Sequence, residues 1–81
     1  MEKSKAQNHL YKAVIATAYN LPVGTLFKYK DLKNKVNYHC TKEEQSEVGR
    51  IFAYLVKHAN VPFIIIDPVS PIVYQRIQGG N

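Results

Sequence analysis

An α+β fold with the element order α-β-α-α-β-β is predicted by three observations on this 81-residue chain. Two long stretches carry apolar residues at helical spacing. Two runs rich in β-branched residues close the chain, and a turn bounded by Pro68 and Pro71 separates them. A shorter β-rich run sits between the helical stretches, and it is too short to stand without another sheet to join.

Residues 4–20 read as the first helix. Ala6, Leu10, Ala13, Val14 and Leu21 recur on one face, Thr17 is its one polar member, and Tyr11, Ile15 and Ala18 widen it. Pro22 disfavours helix at Leu21, and Gly24 supplies a turn. Thr25 to Tyr29 is the short strand, with Phe27 as its core anchor. Asp31 to Val36 is a brief helix: Leu32 and Val36 lie four apart, and Asp31 suits the first turn. Asn37 to Cys40 is a connector. Thr41 to Ala59 is the strongest helix. Thr41 and Glu44 make a capping box, in which each side chain takes the other's backbone amide. Val48, Ile51, Phe52, Leu55, Val56 and Ala59 form its apolar stripe. Gly49 costs about 1 kcal/mol against Ala there, and a Gly so placed marks the close approach of a neighbour.

Phe63 to Asp67 and Ile72 to Ile77 form a terminal hairpin around the four residues Pro68 to Pro71. On the last strand, Ile72, Tyr74 and Arg76 share one face and Val73, Gln75 and Ile77 the other. This is the element order of a winged helix-turn-helix. The short first strand would complete a small three-stranded antiparallel sheet, and the Pro-rich turn would be the wing. Residues 1–81 are expected to form one domain, with loose ends near 1–4 and 78–81.

Apolar residues make up 46% of the chain, which suits a folded domain rather than a disordered one. Lys plus Arg number 11 against 6 Asp plus Glu, a formal charge of +5 that points to a polyanionic partner. A membrane surface is the poorer candidate, because the first helix is too rich in Ala to insert. The longest apolar stretch, Val61 to Ile66, is too short to span a bilayer. The first eight residues lack an apolar core, so no signal peptide is expected and the protein should be cytoplasmic. The lone Cys40 excludes an internal disulfide, and with three scattered His it fits no zinc spacing. No paired carboxylates, no Ser, His and Asp set with supporting turns and no Gly-rich phosphate loop occur. An enzyme, a metal, a cofactor and a small-molecule substrate are therefore not expected.

Three segments can carry binding. From Phe27 to His39 the chain holds Lys28, Lys30, Lys33 and Lys35 against the single acid Asp31, interleaved with Tyr29, Tyr38 and His39. Cations along a phosphate path with flat rings between them are what a single strand needs. The same pattern also describes a solvated helix face with its tyrosines packed beneath. On the hairpin, Tyr74 and Arg76 are displayed together if Val73, Gln75 and Ile77 face the core; otherwise Tyr74 covers Phe63 or Ile65. Arg50, Tyr54 and Lys57 form a stripe on the long helix, which is either a contact or a solvated face. A duplex-reading helix makes its base contacts near its N-terminus. Here Thr41 to Glu47 sets three Glu against one Lys, so the sequence predicts a domain that does not read duplex DNA.

Residues 21–32 (LPVGTLFKYKDL), followed by 48–52 (VGRIF) and 72–77 (IVYQRI), resemble a family of small winged-helix proteins of Gram-positive bacteria and their mobile elements. Within it the chain looks like the single-stranded-DNA-binding kind carried by staphylococcal cassette chromosome elements. The resemblance covers roughly residues 20–77 and rests mostly on fold residues. Arg50 and Arg76 are the matched positions able to bind, and Tyr29 stands where an aliphatic residue is expected. The resemblance implies sequence-tolerant binding of single-stranded DNA in replication or transfer of a mobile element. The alternatives are a duplex-binding transcriptional regulator, or an adaptor for a replication helicase, primase or polymerase.

Overall fold

In the computed structural model, which describes residues 5–36, 40–69 and 71–78, six elements follow in the predicted order. They are α1 (Lys5–Tyr19), β1 (Leu26–Lys28), α2 (Tyr29–Lys35), α3 (Lys42–His58), β2 (Phe63–Asp67) and β3 (Val73–Arg76). The strands form one antiparallel sheet in the order β1-β3-β2. The last strand is thus central, and the three residues of β1 suffice because β3 supplies the ladder. Most of the expected loose ends, 1–4 and 79–81, lie outside the described residues, as do Asn37 and Ser70.

One face of the sheet carries the core. Phe27 and Ile65 lie opposite Tyr74, and Phe63 lies opposite Arg76. Leu10, Val14 and Ala18 of α1, Leu32 of α2, and Val48 and Phe52 of α3 are buried against Phe27, Phe63 and Tyr74. The Tyr74 ring stacks on Phe27 at 5.5 Å and meets Phe52 edge-on at 5.1 Å. Such pairs are worth about 0.5–1.5 kcal/mol each beyond the area they bury. The opposite sheet face leaves Leu26, Ile64 and Ile66 exposed.

Local chemistry sets the boundaries. The Thr41 hydroxyl accepts from the Glu44 amide at 3.1 Å, and the Thr41 amide donates to Glu44 Oε1 at 2.9 Å, so α3 starts at the expected capping box. In α2 the Lys28 amide donates to Asp31 Oδ2 at 2.9 Å. That makes Lys28 the N-cap, so α2 begins two residues before the expected Asp31 and takes Tyr29 out of the strand. Gly24 has φ 96°, and its amide donates to the Arg76 carbonyl at 2.7 Å, which ties the turn before β1 to the central strand. Among the described residues no helix is long and apolar enough to cross a membrane.

Candidate nucleic-acid interface

A groove of about 580 Å³ runs between the start of α2, one face of α3 and the chain entering β3. Lys28, Lys30 and Lys33 line it from one side, and Lys42 and Arg50 from α3. Tyr29, Gly49, Ala53, Pro71 and Ile72 complete an apolar lining. Lys30 and Lys33 are three apart on α2 and so share a face. On α3, Lys42, Ser46, Gly49 and Ala53 fall on one stripe, and the small Ser46, Gly49 and Ala53 leave the space that makes the surface concave. Cations gathered around a concavity focus their field into it.

Tyr29 forms part of the structure of this groove. A Cβ built on Gly49 would lie 3.2 Å from the Tyr29 ring carbons Cδ2 and Cε2, so the ring rests against the glycine. The Tyr29 hydroxyl donates to the Gln45 carbonyl at 2.9 Å, and the Gln45 side chain donates to the Cys40 carbonyl at 2.8 Å. Burial, with a smaller contribution from Cys40, pushes the Tyr29 phenol up to about 12. Burial first, then Glu44, raises the Cys40 thiol as well, so it is not an activated nucleophile.

The acidic start of α3 does not face this groove. Glu44 is held by the cap, Glu47 pairs with Arg50, and Glu43 is exposed; none of the three lines the groove. They occupy other sides of the helix, because Lys42, Ser46 and Gly49 take the inward side.

Of the other residues singled out from sequence, Tyr74 is 1% exposed and lies in the aromatic core. The display of Tyr74 beside Arg76 is corrected: it is the face with Tyr74 that turns inward, because Phe27, Phe52 and Phe63 close around it. Arg76 is committed too. Its Nη2 and Nε donate to the Tyr19 carbonyl at 3.2 and 3.4 Å, and Nη1 donates to the Ile77 carbonyl. The guanidinium thereby satisfies the C-terminus of α1 and lies 6.0 Å from the Tyr19 ring centre. Lys35 is exposed on another side of α2, beside a smaller hollow that it shares with Asp31. Tyr54 and Lys57 are exposed on α3 beyond the groove. Tyr38 and His39 lie outside the described residues.

The structure thus brings together Lys28, Tyr29, Lys30, Lys33, Arg50 and the largely buried Tyr74, and adds Lys42, Gln45, Ser46, Ala53, Pro71 and Ile72, which sequence reasoning did not single out. The signal for the α3 members was the spacing 42, 46, 49, 53 of one polar and small-residue stripe.

A small α+β fold with a cation-lined groove between its helices and its terminal hairpin defines the class of this molecule. A solved structure described as "SCCmec type IV LP1413 - nucleic acids binding protein" is 39% identical to it, with a TM-score of 0.88, over 99% of this chain and 96% of that one. The chain belongs to the family of that protein, as the resemblance carried by residues 21–32, 48–52 and 72–77 led us to expect. No family model and no curated protein matches it.

Proposed function

We propose that the chain is a winged-helix protein that binds single-stranded DNA in this groove, without reading its sequence, in the replication or transfer of a mobile genetic element. The observation that carries the reading is the gathering of Lys28, Lys30, Lys33 and Lys42 around one concavity, which Arg50 also lines with Glu47 as its partner. Each cation that neutralises a phosphate releases counterions, which is the main source of affinity for a polyanion. Concavity favours the single strand. A helix that reads duplex DNA protrudes so that its first turns enter the major groove. Here the first turns of α3 are one wall of a hollow, which suits a narrow strand. The apolar lining offers bases contact without hydrogen-bond readout, hence tolerance of sequence. The similar structure is that of a nucleic-acid-binding protein with an SCCmec designation, which supports both the ligand class and the mobile-element setting. A helicase, primase or polymerase is the kind of partner such a protein would serve.

Charge reversal tests the site. Lys30 and Lys42 sit in the first turns of α2 and α3, where an acid is favoured by the helix dipole, so Lys30→Glu and Lys42→Glu should leave the fold intact. Each is expected to weaken single-strand binding by about tenfold or more, the value of one charge-assisted contact. Lys12→Glu and Lys35→Glu, exposed and outside the groove, should cost only about threefold or less at physiological salt. Equal losses at all four positions would mean that net charge, and not the groove, binds the strand.

A further inference from the structure

Tyr54 and His58 form a pair that the fold does not use. Their ring centres are 4.2 Å apart at an interplanar angle of 35°, close to a stack. Tyr54 is 65% exposed, the most exposed tyrosine among the described residues, and His58 is exposed beside it. Neither belongs to the buried core nor packs against it. The side chains stand one helical turn apart on α3 and hold each other in place, so an aromatic face is already oriented in water. Arg50, which lines the groove, lies one turn before Tyr54, about 6 Å back along the axis. Lys57, also exposed, lies in the turn beyond.

We propose that the Tyr54–His58 pair is a second contact, a platform on which an unpaired base stacks as the strand leaves the groove past Arg50. The inference rests on the proposed binding of a single strand in the groove and adds the ligand of a site outside it. Tyr29 and Tyr74 are taken up by packing, so among the described tyrosines Tyr54 is the one placed to stack near the groove. A base inside a duplex has both faces covered by its neighbours, whereas an unpaired base has a face free for a ring. The platform therefore adds preference for single strands to the charge of the groove, and the exposed Lys57 holds a phosphate beside the stacked base.

The test compares three probes of equal length: a single strand, the same strand with an abasic stretch, and the duplex. Tyr54→Ala should weaken binding of the ordinary strand by roughly fivefold or more, as loss of one stacked base does. It should leave the salt dependence unchanged and alter affinity for the abasic strand and the duplex by less than about twofold. Tyr54→Phe should retain binding, and His58→Ala should lose part of it. An unchanged affinity in Tyr54→Ala, or an equal loss on the abasic strand, overturns the platform while leaving the groove in place. If the unaltered protein binds none of the probes at low salt, the groove reading falls and the platform with it.

Discussion

A Cβ at Gly49 would lie 3.2 Å from the Tyr29 ring, and that closeness fixes what each residue can be replaced by. Alanine at position 49 would gain about 1 kcal/mol of helix propensity. Its methyl would press on the Tyr29 ring, which cannot retreat without lengthening the 2.9 Å bond from its hydroxyl to the Gln45 carbonyl. We expect Gly49→Ala to be destabilising by about 1 kcal/mol, since overpacking outweighs propensity. In a Tyr29→Phe background the ring is free to shift, and the cost should shrink. Urea denaturation of the unaltered protein, the two single variants and the double variant checks this; a more stable Gly49→Ala in the unaltered background would show that the ring yields. The sequence already held the hint, because a glycine inside a helix marks close approach. It did not name the neighbour, since Tyr29 lies twenty residues away and could equally have been a stacking ring.

Elements were legible where their signals are local. The Thr41–Glu44 box and the α3 stripe both lie within a few residues, and the start of the long helix follows from them. The same holds for the turn at Gly24 and for the hairpin around Pro68. The short α2 began earlier than expected, because an acid at the third helical position reaches back to cap, and in a helix of seven residues that choice moves a large part of the element. Alternation along β3 divides its side chains into two sets but does not say which set faces in. That is decided by Phe27 on one neighbouring strand and Phe63 on the other, whose register puts Tyr74 into the aromatic core. Arg76 then follows Tyr74 inward and reaches the end of α1. Arg76→Ala should accordingly lower stability by about 1 kcal/mol, because the Tyr19 carbonyl is left without its guanidinium donors. Its affinity for a single strand should stay within about twofold of the unaltered protein, since the guanidinium is already spent on α1 and holds no phosphate. A stable variant with weakened binding would instead make Arg76 a nucleic-acid ligand.

Across the whole molecule the charge is sharply divided. No Lys or Arg occurs from Ala59 to Gln75, so the hairpin lends the groove an apolar wall and little charge. The cations of the site come from residues 28–33 and 42–50, which are separated by the connector in sequence and are joined only when α2 packs beside α3. The Lys-rich segment was visible as a local excess. Lys42 was not, because in a linear reading it sits among three glutamates and only the helical stripe separates it from them. The most direct test of the cationic groove is affinity for a single strand of roughly 30 nucleotides and for the matching duplex across a salt series. Four to five cations (Arg50 being shared with Glu47) at about −0.7 each predict a log–log slope of roughly −3 to −4, with the single strand bound more tightly than the duplex. A slope near zero, or tighter binding of the duplex, would contradict it.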